Sequence, residues 1–223
     1  MLTMRVLLTS VAAACLASCA STTMGGAAGA VNSAEVRLDP TPDTVFIYDD
    51  GRVERYLERE GEDLIWATRG GREYTRSSNP ALPILSWEIG GRVGQRQVFG
   101  DMGAMWPPQD GGQTRFRVLT DVSDGDESRR YSQPWSCAVS GPAPIGTSAG
   151  EFRAFEITCD RYSLNTMRLL EKRTWWWAED LGHFVKRRFQ SYRTGEVREI
   201  SLCGALPKWR ATEARIEAIL DAC

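Results

Sequence analysis

From residue 44 onward, apolar and polar positions alternate in short runs broken by glycine. Thr44-Val45-Phe46-Ile47-Tyr48 leads into Asp49-Asp50-Gly51, and Arg52-Val53-Glu54-Arg55-Tyr56-Leu57 alternates on the far side. An Asp-Gly pair between two such runs predicts a β-hairpin, because glycine accepts the positive φ that a type I′ turn requires. Leu64–Thr68, Arg72–Thr75, Leu85–Glu88 and Val93–Phe99 follow, separated by Gly61, Gly70-Gly71 and Gly90-Gly91. Turn signals about every ten residues are the rhythm of antiparallel sheet, and no strand–helix alternation interrupts them. A second β-rich stretch runs from Thr114 to Leu202. Its clearest hairpin joins Arg173–Trp177 to His183–Phe189 through Ala178–Gly182. Helical spacing appears once, from about Thr212, where Ala214, Ile216, Ile219, Leu220 and Cys223 recur behind Pro207. The pattern predicts a mainly β fold: an antiparallel meander, sandwich or open barrel-like sheet with one short C-terminal helix.

The N-terminus follows another pattern. Arg5 precedes an apolar run, Val6-Leu7-Leu8 through Ala12-Ala13-Ala14-Cys15-Leu16, too short to span a bilayer. The run ends in Leu16-Ala17-Ser18-Cys19, which resembles the lipobox of bacterial lipoproteins at all four positions. That resemblance implies a signal peptide over residues 1–18 and a diacylglycerol on the thiol of Cys19. Residues 19–38 then form the lipidated cysteine and a flexible tether. Positions 20–34 carry no charge and no large aromatic, and their root-mean-square reach is about 20 Å. The remaining segment, 39–223, is long enough for one domain with a sizeable core. Ala20 stands where an aspartate typically holds lipoproteins at an inner membrane. The expected address is therefore the outer membrane, with the domain facing the periplasm. The expected partners are the membrane itself, through Cys19, and an envelope protein or a lipid.

Composition narrows the functions. The signal holds one of the 27 basic residues and none of the 29 acidic ones, which leaves a mature net charge of −3. Nothing in that balance favours nucleic acid. Four cysteines remain once Cys15 leaves and Cys19 is acylated: Cys137, Cys159, Cys203 and Cys223. An even count in an exported chain favours disulfides. Three pairings are open, and Cys137–Cys159 across a hairpin with Cys203–Cys223 clamping the helix is preferred. No CxxC spacing points to zinc, and no cofactor is called for.

Gly146-Thr147-Ser148-Ala149-Gly150 matches the G-x-S-x-G nucleophile elbow, with Asp160 or Asp180 and then His183 downstream in the order α/β-hydrolases use. An elbow joins a strand to a helix, whereas Glu151–Thr158 has strand character, so the motif reads as a turn and no catalytic residue is assigned. His183, the only histidine, is expected to pack at a strand end. The acidic run Asp121–Glu127 misses the register of an EF-hand loop and lacks its closing glutamate. Lys186-Arg187-Arg188 and Arg129-Arg130 read as a wet strand face, with phosphate or lipid headgroups as the alternative. The aromatics offer the best binding surface. Trp175 and Trp177 share one face of a strand and Trp176 the other. With Phe184 they are the candidate contacts for a lipid or an envelope protein, the competing reading being burial on both faces.

Residues 44–202 also resemble a group of uncharacterised exported proteins from Gram-negative, mainly alphaproteobacterial, genomes. The resemblance rests on Tyr48-Asp49-Asp50-Gly51-Arg52, on Asn79-Pro80 with Leu82-Pro83 before Ser86-Trp87, and on Met105-Trp106-Pro107. It continues through Ala149-Gly150-Glu151-Phe152 leading to Cys159, and Thr174-Trp175-Trp176-Trp177 with Gly182-His183-Phe184-Val185-Lys186-Arg187. Trp176-Trp177 and Pro108 depart from it, at positions where tyrosine and leucine are the more usual residues. The resemblance implies a β-dominated envelope domain and brings no activity. If the lipobox is read correctly, a Cys19→Ala variant leaves the membrane fraction after cell lysis. A variant that still sediments with membranes would overturn that reading.

Overall fold

The computed structural model describes residues 39–223; the expected signal peptide, Cys19 and the expected tether lie outside the described residues. The alternating runs form β1 (Thr44–Tyr48), β2 (Val53–Glu60), β3 (Asp63–Thr68), β4 (Glu73–Ser77), β5 (Ser86–Ile89) and β6 (Arg92–Phe99). After a loop over 100–112 come β7 (Gln113–Asp124), β8 (Glu127–Thr147) and β9 (Gly150–Tyr162). The last strands are β10 (Leu169–Ala178), β11 (His183–Ser191) and β12 (Val197–Pro207). A 3-10 turn, Lys208–Arg210, then leads to helix α1 (Glu213–Asp221).

Each strand pairs antiparallel with the next, and β1 pairs with β12, so the twelve strands close into an up-and-down barrel. The open sheet among the sequence alternatives is thereby replaced by a closed one. Phe46 shows the reason, since it stands opposite Glu54 of β2 on one side and Ala205 of β12 on the other. That second pairing joins the two ends of the domain, and local periodicity carries no trace of it. Closure removes the row of unpaired backbone groups that an edge strand would present.

Strand alternation sorts side chains between the interior and the outside. Phe46, Tyr48, Tyr56, Trp66, Phe116, Ile157, Trp175 and Trp177 belong to the interior cluster. Val45, Ile47, Val53 and Cys203 form a second cluster beneath α1, with Ile216 of the helix packed on them. Thr212 caps the helix, its hydroxyl accepting from the Arg215 N–H. Arg69 binds both Glu213 and Glu217 on the first turns of α1. Elsewhere the outward positions carry ion pairs such as Lys186–Glu199 (2.7 Å) and Lys172–Asp160 (3.4 Å). That is a face suited to water, unlike the apolar band of a lipid-facing barrel. Among the described residues no helix is long and apolar enough to cross a membrane.

Loops alternate between the two ends of such a barrel. The end that carries the 100–112 loop is filled: Met105 is fully buried and Trp106 meets Trp177 edge-on at 5.2 Å. Opposite Trp87 the barrel wall requires glycine, since a Cβ at Gly94 would lie 1.9 Å from the indole. Arg96 in turn lies 4.1 Å over that ring.

The cysteines are bonded Cys137–Cys159 and Cys203–Cys223. The first bridge joins residues directly opposite in the β8–β9 register, and the second ties the chain end beyond α1 to β12. Its partners are 20 residues apart, a loop length for which cross-linking contributes about 3 kcal/mol. A Cys203→Ser/Cys223→Ser double variant should lose about that much in urea unfolding of the full chain. A loss under about 0.5 kcal/mol would show that the helix is held without the bridge.

Candidate binding site

The aromatic strand proposed as a binding surface belongs to the core. Trp175, Trp177 and Phe184 are buried, Trp177 to 1% exposure, and Phe184 stacks on Tyr48 at 5.2 Å. Trp176 alone turns outward, half-buried, with the Lys186 ammonium 5.5 Å from its ring. The register explains how β11 buries three residues in a row. Trp176 faces Lys186 and Trp177 faces Phe184, so Val185 is skipped as a bulge. The extra residue lets Phe184 and Val185 both be covered.

His183 sits at the start of β11 and is buried, with Phe46, Trp66 and Phe184 at 4.4–4.5 Å between ring centroids. Its Nε2 has no hydrogen-bond partner. Burial, then the positive charges of Arg76 and Arg187, hold its pKa well below the ordinary imidazole value. Ser148 lies elsewhere, in the tight turn between β8 and β9, and its hydroxyl donates to the Cys223 carbonyl at 3.3 Å. The G-x-S-x-G segment thus joins strand to strand. β11 and β12 stop pairing beyond Lys186–Ser201, and the tip of the β8–β9 hairpin reaches β12 there. The Ala149 N–H donates to the Leu202 carbonyl at 3.1 Å, so the motif helps seal a gap in the barrel wall.

The acidic run over 121–127 and Arg129-Arg130 are paired among themselves and with Arg92, whereas of Lys186-Arg187-Arg188 Lys186 pairs with Glu199 and Arg187 faces the barrel interior. Asp121 binds Arg130 at 2.5 Å, Asp124 binds Arg92 at 3.2 Å and Glu127 binds Arg129 at 3.1 Å. Among the described residues no group of three or more His, Cys, Asp or Glu side chains is placed to hold a metal ion.

A concavity on the outer side of β6–β9 was not legible in the sequence. It is an open groove of about 810 Å³. Phe99 (53% exposed) and Met167 (61% exposed) line it with Leu119 and Pro134. Arg115 and Arg117 also line it, and among the described residues neither has a carboxylate within 4 Å. Alternation along β7 turns Arg115, Arg117 and Leu119 outward while Phe116, Val118 and Thr120 are buried. Met167 comes from the β9–β10 turn, which is why sequence spacing does not gather the set. A concavity of this size suits a small-molecule ligand, with an apolar bed and cations beside it.

No family model and no curated protein matches the chain. Among solved structures, it is similar to the hypothetical lipoprotein YmcC from Escherichia coli K12. There the identity is 12% and the TM-score 0.48, over 71% of this chain and 81% of that one. A protein with a YmcC-like fold from Bacteroides fragilis is similar at 11% identity and a TM-score of 0.42, over 75% of this chain and 97% of that one.

His183 generates a pH dependence of stability. A pKa depressed on folding means that the unfolded chain binds the extra proton first. Stability is therefore complete above the unfolded value of about 6.5 and declines as pH falls below it. The limiting slope is about 1.4 kcal/mol per pH unit. A His183→Phe variant should flatten the unfolding free energy between pH 6.5 and 5 relative to the parent, measured in urea. Parallel curves for the two proteins would sink this assignment.

Proposed function

We propose that the protein is a membrane-anchored lipoprotein of the cell envelope with a non-catalytic binding role, its outer groove taking the acyl part of an anionic amphiphile. The address rests on Leu16-Ala17-Ser18-Cys19, and Ala20 favours an outer-membrane, periplasm-facing domain. One observation carries the binding role: the groove of about 810 Å³, whose apolar floor lies beside two guanidiniums that have no carboxylate partner among the described residues. An acyl chain fits the first feature and an acidic headgroup the second. A lipid on Cys19 supports a membrane lipid as occupant, because a tether of the composition of residues 20–34 would hold the domain near the bilayer. A hydrolase reading loses its basis, since Ser148 binds the Cys223 carbonyl and His183 is enclosed by aromatic rings.

Native mass spectrometry of the full chain, taken from envelope extracts in mild detergent, tests this reading. The parent protein should carry a lipid mass that denaturation removes, in addition to its covalent acyl groups. A Phe99→Glu/Met167→Glu variant, altered only at exposed positions, should fold as before and lose that mass. Bare parent protein, or the same mass on both proteins, would defeat the proposal.

A further inference from the structure

A second feature lies on the opposite side of the barrel wall, in the interior. Arg173 on β10 shares its face with Trp175 and Trp177, and Arg187 on β11 shares its face with Phe189, so both guanidiniums point inward. A cavity of about 220 Å³ is lined by Arg52, Arg173, Arg187 and Arg198, with Asp50 as its carboxylate. Another, of about 170 Å³, is lined by Arg76, Arg96 and again by Arg173 and Arg187. Arg173 and Arg187 border both spaces, so six guanidiniums line the two cavities, with Asp50 the one carboxylate in those linings.

Among the described residues, fewer carboxylates than guanidiniums stand around these cavities. Arg52 pairs with Asp50 at 3.2 Å, Arg76 with Glu54 at 3.0 Å and Arg198 with Glu196 at 2.8 Å. Glu171 is shared, at 2.6 Å from Arg173 and 2.6 Å from Arg161. Among the described residues Arg187 has no carboxylate within 4 Å, and its guanidinium carbon stands 5.8 Å from the Phe184 ring. Arg96 donates to the Ile84 carbonyl and also lacks an acidic partner. The Nε of Arg173 is buried with no hydrogen-bond partner. Burial, then Arg52 and Arg76, push the Arg187 pKa down to about 10, which still leaves it charged at neutral pH. A protein that encloses an uncompensated guanidinium meets a desolvation cost that a bound anion would offset.

We propose that this arginine-lined interior is a binding site for a phosphate group, free or as a phosphomonoester. Arginine forks bind phosphate oxygens in pairs, and several forks around one space match a dianion better than a single carboxylate. The 220 Å³ chamber has room for the phosphate and a small alcohol such as a glycerol or a single sugar. Its entrance lies at the end carrying the β1–β2 and β11–β12 turns, where Asp50, Arg52 and Arg198 stand. The aromatic plug of Met105 and Trp106 is at the other end. This site is separate from the outer groove, where Arg115 and Arg117 face the opposite way.

Calorimetric titration of the full chain in a non-ionic detergent, at fixed ionic strength, tests the site with inorganic phosphate, glycerol 1-phosphate and acetate. Phosphate or glycerol phosphate should bind saturably, and acetate at least tenfold more weakly. Binding by phosphate alone assigns a free anion, and binding by glycerol phosphate as well extends the site to an esterified phosphate such as a headgroup. Arg187→Gln should weaken binding at least tenfold without lowering the thermal midpoint of the ligand-free protein, because it removes a charge that has no partner. Arg198→Gln, at the exposed rim, supplies a second variant should the first fail to fold, and Arg129→Gln is the surface control. Absence of saturable binding by the parent overturns the proposal. Equal binding by the parent and both cavity variants, or a loss produced instead by Phe99→Glu/Met167→Glu, does so as well.

Discussion

The pairing of β1 with β12 is the contact on which the rest of the structure depends. It turns a meander into a closed wall, and only a closed wall encloses an interior whose two ends differ. It also creates the outer surface on which α1 lies, since Val45 and Ile47 of β1 and Cys203 of β12 together form the floor beneath Ile216. The second disulfide then holds the chain end against that floor. Helix, bridge and barrel wall are consequences of one non-local pairing.

Inside the wall the residues divide by chemistry. Aromatic rings around Trp66, His183, Trp177 and Trp106 fill one region, while arginines gather toward the other end. The two regions meet at Arg76, which lies over the rings of Trp66 and Tyr74 at 5.5 and 4.9 Å while pairing with Glu54. That packing keeps a guanidinium in an apolar setting without isolating it from a counter-charge. Neutral His183, just beyond, adds no further positive charge to this boundary.

Strands and turns were largely legible in the sequence, because they are written in local alternation and in glycines such as Gly51, whose φ is +80°. The cysteine pairing preferred from hairpin geometry is the one present, since Cys137 and Cys159 fall opposite each other in register. Barrel closure was not legible, for it depends on residues at opposite ends of the domain. Nor was the length of β8, which runs 21 residues through Pro134 and Pro142, positions that ordinarily argue against a strand. The Trp-rich strand was correctly placed, but its role turned on what covers each face. The 100–112 loop supplies part of that cover, and no periodicity announces it. Both candidate sites escaped for a related reason. The groove draws on β6 through the β9–β10 turn, and the arginines on the β1–β2 turn, β4, β6, β10, β11 and β12, so neither is a motif along the chain.

The seam between β11 and β12 has a bearing on how such a molecule must be made. Past Lys186–Ser201 those neighbours separate, and the breach is bridged by Ala149 from a hairpin on a distant part of the wall. Ser148 on the same tip also touches the carbonyl of the final residue, Cys223. Half of such a wall would leave β1 or β12 without its partner strand. In a chain that emerges from its N-terminus, β1 precedes its partner by the whole length of the domain. The last strand, the helix and the terminal cysteine arrive together as the latch. The β1–β12 pairing is thus a contact of long sequence separation, the kind that makes closure entropically costly.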